Sequence, residues 1–167
     1  MKPFTFSVPQ DVIVGSGSAE KLGEAAKKLG GTHALIISGP HLTKMGHVGH
    51  CADLLKAAGI ASDAFTETEG NPSTETVAKA AEMYKSCGAD FLVAFGGGSP
   101  MDVAKAVAVV AKFGGKITDY EGAGTVPGEP VPLIALPTTA GTGSEVTAAA
   151  VITDHSRNYK LTVFDAK

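Results

Sequence analysis

A chain of 167 residues, 44% apolar and 19% charged, has the length of one domain and can bury a core without disulfide or metal staples. Its formal net charge of −3 argues against a nucleic-acid or anionic-lipid partner, which would select a basic face. No window approaches a membrane span, the start MKPFTFSVPQDVIV lacks a signal peptide's apolar run, and Cys51 and Cys87 form no CxxC pair, so a cytoplasmic, reducing-compartment protein is expected.

In chain order, Phe4 to Val8 alternates apolar and polar residues and reads as a strand. Asp11 to Val14, a short apolar run read as a second strand, ends at Gly15-Ser16-Gly17, and Ser18 is placed as N-cap of a helix from Ala19 to Leu29. Ala34 to Ser38 reads as a buried strand ended by Gly39 and Pro40. Helical spacing runs from Gly49 to Ala58 and stops at Gly59, and Ala61 to Phe65 is a weaker strand. Asn71-Pro72-Ser73 opens the next helix, with Ser73 as N-cap, Thr76 to Ser86 as body and Gly88 at the end. Phe91 to Phe95 is apolar throughout, as a central parallel strand is. It runs through Gly96-Gly97-Gly98-Ser99-Pro100 into the helix Met101 to Lys112. Gly122 to Pro130 is loop-like, Val131 to Leu136 is another buried strand, and Ala148 to Ile152 and Leu161 to Phe164 are strands joined by a polar turn from Asp154 to Asn158. The alternation predicts an α/β fold, an open parallel sheet with helices on both faces.

Two segments carry chemistry. In FLVAFGGGSPMDVAK, Phe91 to Lys105, a buried strand meets three glycines and then a helix. Glycines let the backbone approach a phosphate, and the helix start offers unpaired N–H groups and the positive end of its dipole. Asp102 is unusual in such a site; its carboxylate can cap amides or accept from a ribose hydroxyl. In LPTTAGTGSEVT, Leu136 to Thr147, the hydroxyls of Thr138, Thr139, Thr142, Ser144 and Thr147 crowd around Gly141 and Gly143 after another strand. Open α/β sheets bind ligands at that end. Two such loops after two strands point to a shared dinucleotide crevice.

The pair GGGSPMDVAK and PTTAGTGSEVT resembles the signature pair of iron-containing (group III) alcohol dehydrogenases, and the resemblance runs from the N-terminal strand to Lys167 and includes Asn71-Pro72-Ser73. It implies a Rossmann-like, dehydroquinate-synthase-like N-terminal domain, with residues 1–167 as the dinucleotide-binding domain. By the resemblance, Gly97, Gly98 and Ser99 hold the pyrophosphate with Asp102 beside it. Thr138, Thr139, Thr142 and Ser144 line the adenosine and nicotinamide side, and Asn71 and Lys160 reach the nucleotide. Relatives continue into a helical domain whose aspartate and three histidines bind Fe2+ or Zn2+, so no catalytic or metal-ligating residue is assigned within these 167. The implied reaction is hydride transfer between an alcohol/aldehyde pair and NAD(H) or NADP(H), with this chain alone binding the dinucleotide without turnover. The related zinc-dependent glycerol dehydrogenases and a non-catalytic nucleotide-binding module stay open as alternatives.

NAD-preferring members often carry an aspartate at the position of Gly39, where it accepts from the ribose 2′-OH. Gly39 leaves space and neutrality for a 2′-phosphate, with His41 and Lys44 near in sequence, so NADP(H) is expected to be accepted and preferred. Relatives pair their first strands in dimers, so a homodimer through Phe4 to Val8 is expected. Gly15-Ser16-Gly17 reads as a plain turn, lacking the third glycine of a dinucleotide fingerprint. His47, His50 and Cys51 read as surface and core residues rather than a metal site, Cys51 and Cys87 as buried small residues, and Asp154-His155 as a turn.

Overall fold

β-branched and leucine-containing runs, with the more polar Ala61–Phe65 at one edge, form the central sheet of the computed structural model, which describes residues 10–166. Strands β1 (His33–Ile37), β2 (Ala61–Phe65), β3 (Phe91–Gly96) and β5 (Leu133–Pro137) lie in the order β2-β1-β3-β5, all parallel. Alternate residues feed opposite faces. Ala34, Ile36, Phe91 and Val93 pack against α1 (Leu22–Leu29) and α3 (His47–Ala57). Leu35, Ile37, Leu92 and Ala94 pack against α4 (Thr74–Cys87) and α5 (Gly98–Phe113). Helices thus cover both faces, as the alternation predicts.

Helix α5 is buried nearly all round: Val103, Ala104, Ala106 and Val107 are at most 1% exposed. Its small side chains admit a second layer. β4 (Gly122–Ala123), β6 (Ala149–Asp154) and β7 (Tyr159–Phe164) form a separate sheet, β4-β7-β6, with an antiparallel β6–β7 hairpin. Ile152, Leu161 and Val163 from this sheet join the α5 core. The polar turn from Asp154 to Asn158 is where the sequence places it, and β4 lies inside the segment read as loop.

Caps explain the helix ends. Ser73 Oγ accepts from Thr76 N at 3.2 Å, an N-cap that contributes about 1 kcal/mol, and Gly88 closes α4 with a φ of 73°. A short helix, α2 (Pro40–Lys44), starts at Pro40, whose fixed φ suits a first helical position. The sequence reading has only a strand end there.

The N-terminal part differs from expectation in two ways. Residues 11–14 form no strand, and Val12, Ile13 and Val14 are exposed. Ser18 is not a cap: Gly17 precedes a 3-10 turn, Ser18–Lys21, before α1, with no capping side chain. The apolar run has no neighbouring strand to pair with among the described residues, so its β propensity is unused. Phe4 to Val8 and the dimer contact expected there lie outside the described residues.

Candidate functional site

The order β2-β1-β3-β5 puts a switch point between β1 and β3. The chain leaves β1 toward the face of α3 and leaves β3 toward the face of α5, which opens a crevice beyond the carboxyl ends of both strands. Gly39 lies just beyond β1, Gly96 ends β3 and Gly97 to Ser99 follow it, and all border a cleft of about 470 Å³ there.

Backbone geometry demands glycine at position 96. Its φ is 145°, and an added Cβ would lie 2.8 Å from Pro100 Cγ. Gly97 precedes the 16-residue α5, whose first turn holds no acidic side chain. Pro100, the third residue of the helix, has no N–H, and Met101 N donates to Gly97 O at 3.4 Å. The orphan donors of the first turn therefore belong to Gly98 and Ser99.

The hydroxyl-rich loop folds onto this turn. Thr138 N donates to Gly96 O at 2.9 Å, carrying the β3–β5 pairing past the strand end. A Cβ on Gly97 would sit 3.2 Å from Thr139 Oγ1, and one on Gly98 would sit 3.4 Å from Thr142 Cγ2. The space that these two glycines leave is thus occupied by the second loop.

Asp102 and Lys105, one turn apart on α5, hold that loop from below. Asp102 Oδ1 accepts from Ser144 Oγ at 2.7 Å and Oδ2 accepts from Val151 N at 3.2 Å. Lys105 Nζ donates to Ser144 Oγ at 3.1 Å, Thr147 O at 2.9 Å and Ala149 O at 2.8 Å. Burial pushes the Lys105 ammonium below its ordinary range, and the Asp102 and Glu145 carboxylates oppose that shift. Ser144, 6% exposed, receives from the lysine and gives to the aspartate. Sequence reasoning assigned Lys105 no role, though its position three residues after Asp102 on one helix face was a usable signal.

A second cleft of about 520 Å³ lies on the other side of the α5 start and shares Gly98 and Ser99 with the first. Asp102, Thr142 and Ser144 border it, as do Asn71 and Lys160. Lys160 Nζ donates to Asn71 Oδ1 at 2.7 Å. Asn71 takes a left-handed φ of 54°, and Thr153 N donates to Pro72 O at 2.8 Å, which straps this loop to β6. Val151 and Phe164, 38% and 51% exposed, add apolar surface. The structure therefore gathers Gly39, Asn71, Gly97, Gly98, Ser99, Asp102, Thr138, Thr139, Thr142, Ser144 and Lys160 around one helix terminus.

Two other sequence features fall elsewhere. His50 Nε2 pairs with Glu20 Oε1 at 2.9 Å, and buried Cys51 has its thiol pushed up to about 11 by desolvation and by Glu20. Asp154 ties its own turn through Ser156 and Arg157.

The fold is that of an open α/β sheet with a crevice at its switch point. The family model for iron-containing alcohol dehydrogenase matches residues 9–167; the chain belongs to that family. It is 38% identical over 162 residues to the NAD-dependent methanol dehydrogenase of Bacillus methanolicus, covering 97% of this chain and 42% of that protein. It is 43% identical over 160 residues to the choline dehydrogenase of Bacillus subtilis, covering 94% of this chain and 40% of that protein. The crystal structure of sulfoacetaldehyde reductase from Bifidobacterium kashiwanohense in complex with NAD+ superposes with a TM-score of 0.92 at 32% identity, over 99% of this chain and 44% of that one. The chain spans about two fifths of the length of these curated relatives.

The family name implies iron. The clefts offer hydroxyls, the Lys160 ammonium, the His41 imidazole and two carboxylates that already have partners, Asp102 on Ser144 and Val151 and Glu69 on Thr76 and Ser73. Among the described residues, the one gathering of three His, Cys, Asp or Glu groups is His33, Asp63 and Cys87, at the other end of β1. The cleft's own donor set does not fit iron.

Proposed function

We propose that this chain binds a nicotinamide dinucleotide across the two clefts and forms the cofactor-binding part of an enzyme that interconverts alcohols and aldehydes. The observation behind it is the sharing of Gly98 and Ser99 by both clefts at the switch point, which suits a molecule with two arms and a central pyrophosphate. The N–H groups at the start of α5 take the phosphates. The adenosine arm runs toward Gly39, and the nicotinamide arm toward Asn71, Lys160 and the apolar surface of Val151 and Phe164. When bound, the cofactor carries the hydride at its nicotinamide ring. The chain's residues bind and orient: Ser99 donates to phosphate, Lys160 steadied by Asn71 meets ribose hydroxyls, and Asp102 with Lys105 keeps the loop in place.

Gly39 supports acceptance of NADP(H), with preference over NAD(H). It carries no acid, and His41 borders the same cleft. Lys44 is not among the bordering residues, so His41 is the side chain that can donate to a 2′-phosphate. Glu69 also borders the cleft, but its carboxylate is turned to the Thr76 hydroxyl and Ser73 N.

In this reading residues 1–167 act as one dinucleotide-binding domain of a cytoplasmic homodimer. Because the cleft's donor set does not fit iron, the chain by itself binds without turnover in this reading. Titration with NADPH and NADH, followed by calorimetry, tests the binding, and saturable binding of at least one is expected. Metal-dependent alcohol oxidation by these 167 residues alone would overturn the division of labour.

A further inference from the structure

At the start of β1, three side chains converge that lie far apart in sequence. His33 Nε2 meets Asp63 Oδ2 at 2.8 Å, and Cys87 brings its Sγ within 4.8 Å of both. His33 and Asp63 share the sheet face of Leu35, Ile37 and Phe65, which α4 covers, and Cys87 is the last residue of α4. We propose that His33, Asp63 and Cys87 form a site for a borderline-soft divalent cation of the Zn2+ class.

The donor chemistry selects the class. An imidazole nitrogen, a thiolate sulfur and a carboxylate oxygen suit Zn2+ or Co2+, whereas Mg2+ and Ca2+ want oxygens alone. Tetrahedral bonds of about 2.0–2.3 Å put ligand atoms roughly 3.3–3.8 Å apart. The His33–Asp63 pair has to open slightly and Cys87 to close slightly, within the reach of side-chain rotation. Cys87 Sγ gives up only a weak bond to Tyr84 O at 3.5 Å. Three protein ligands leave a fourth position for water.

The frame is rigid and the approach is open. Asp90 accepts from Thr32 N, Thr32 Oγ1 and His33 N, and Asp90 N donates to His33 O at 2.8 Å, so the start of β1 is held on both sides. Parallel pairing fixes Asp63 beside Leu35. Gly88, with its positive φ, ends α4 immediately after Cys87. The His33 and Asp63 side chains are 25% and 46% exposed, so an ion can enter from solvent.

Co2+ serves as the probe, titrated into the reduced 167-residue chain. A saturable thiolate-to-cobalt charge-transfer band is expected at one equivalent, displaced by Zn2+. Cys87→Ser abolishes the band. His33→Gln and Asp63→Asn, which keep hydrogen-bonding capacity, each weaken apparent Zn2+ affinity at least about tenfold, and Cys51→Ser leaves both readouts unchanged. Circular dichroism confirms that each variant is folded. Absence of a band in the parent chain, a band that survives Cys87→Ser, or a band lost in Cys51→Ser would overturn the site.

Discussion

Two glycine turns lead into helices in this chain. Gly15-Ser16-Gly17 follows exposed coil and precedes a 3-10 turn, and a Cβ on Gly15 or Gly17 would meet nothing within 4 Å. Gly96-Gly97-Gly98 follows a buried central strand, starts the most buried helix and has Thr139 and Thr142 against it. Both turns contain glycines with positive φ. What separates them is delivery by the sheet to a switch point and closure by a second loop. Glycine composition supplies conformational freedom, and the surrounding layers make it a candidate site.

The largest expected effect comes from removing what the first turn lacks, the staple beneath the second loop. Lys105→Met strips Ser144, Thr147 and Ala149 of their common donor and leaves Asp102 uncompensated, at a cost of roughly 2–4 kcal/mol. Denaturant unfolding is expected to show that loss together with weakened dinucleotide binding; an unchanged midpoint would remove the staple from the comparison.

Next, Gly98→Val pushes methyl groups toward Thr142, and dinucleotide affinity is expected to drop at least about tenfold, a change of roughly 1.4 kcal/mol. Adding Thr142→Ser recovers part of the loss if crowding between the loops is the cause. Gly17→Ala costs only backbone strain of about 1 kcal/mol and leaves affinity alone. Calorimetry on the three variants compares the turns directly.

Cofactor choice is a smaller effect. Gly39→Asp is expected to weaken NADPH about tenfold through like-charge repulsion while sparing NADH. A Cβ there would lie 3.1 Å from Thr68 O, so Gly39→Ala measures the packing share separately. If the unmodified chain binds NADH tenfold tighter than NADPH, the reading of Gly39 fails.

The smallest effect is in acid. Hydrogen bonds from Ser156 and Arg157 lower the Asp154 carboxyl to about 2. That lies below the unfolded value of about 3.9. Its contribution to the β6–β7 turn is therefore complete above roughly pH 4 and is lost as pH falls toward 2. Asp154→Asn is expected to flatten the pH dependence of Tm in that window and to change little at pH 7.

The legible parts of the sequence were those where one local rule acts alone. The central strand Phe91 to Phe95, the Ser73 cap and the Gly88 stop appear as read, because burial, capping and glycine freedom there need no distant partner, whereas the helix read from Met101 starts three residues earlier, at Gly98. Residues 11–14 misled because strand propensity is realised only beside another strand, and none lies beside them among the described residues. Cys87 reads as a small residue against an apolar core; β1 and β2 bring His33 and Asp63 to it.

By itself, the order of residues determined the α/β alternation, the glycine-rich entry into a long helix, and the family, since each follows from local periodicity or contiguous motifs. The tertiary structure alone decided that β1 and β3 are neighbours, that Thr139 and Thr142 fill the space beside the glycines, and that Lys160 meets Asn71 across 89 positions of chain. Those contacts depend on strand order and on which face each crossover takes. No local pattern encodes these, because they are settled only when the two faces of the sheet are covered together.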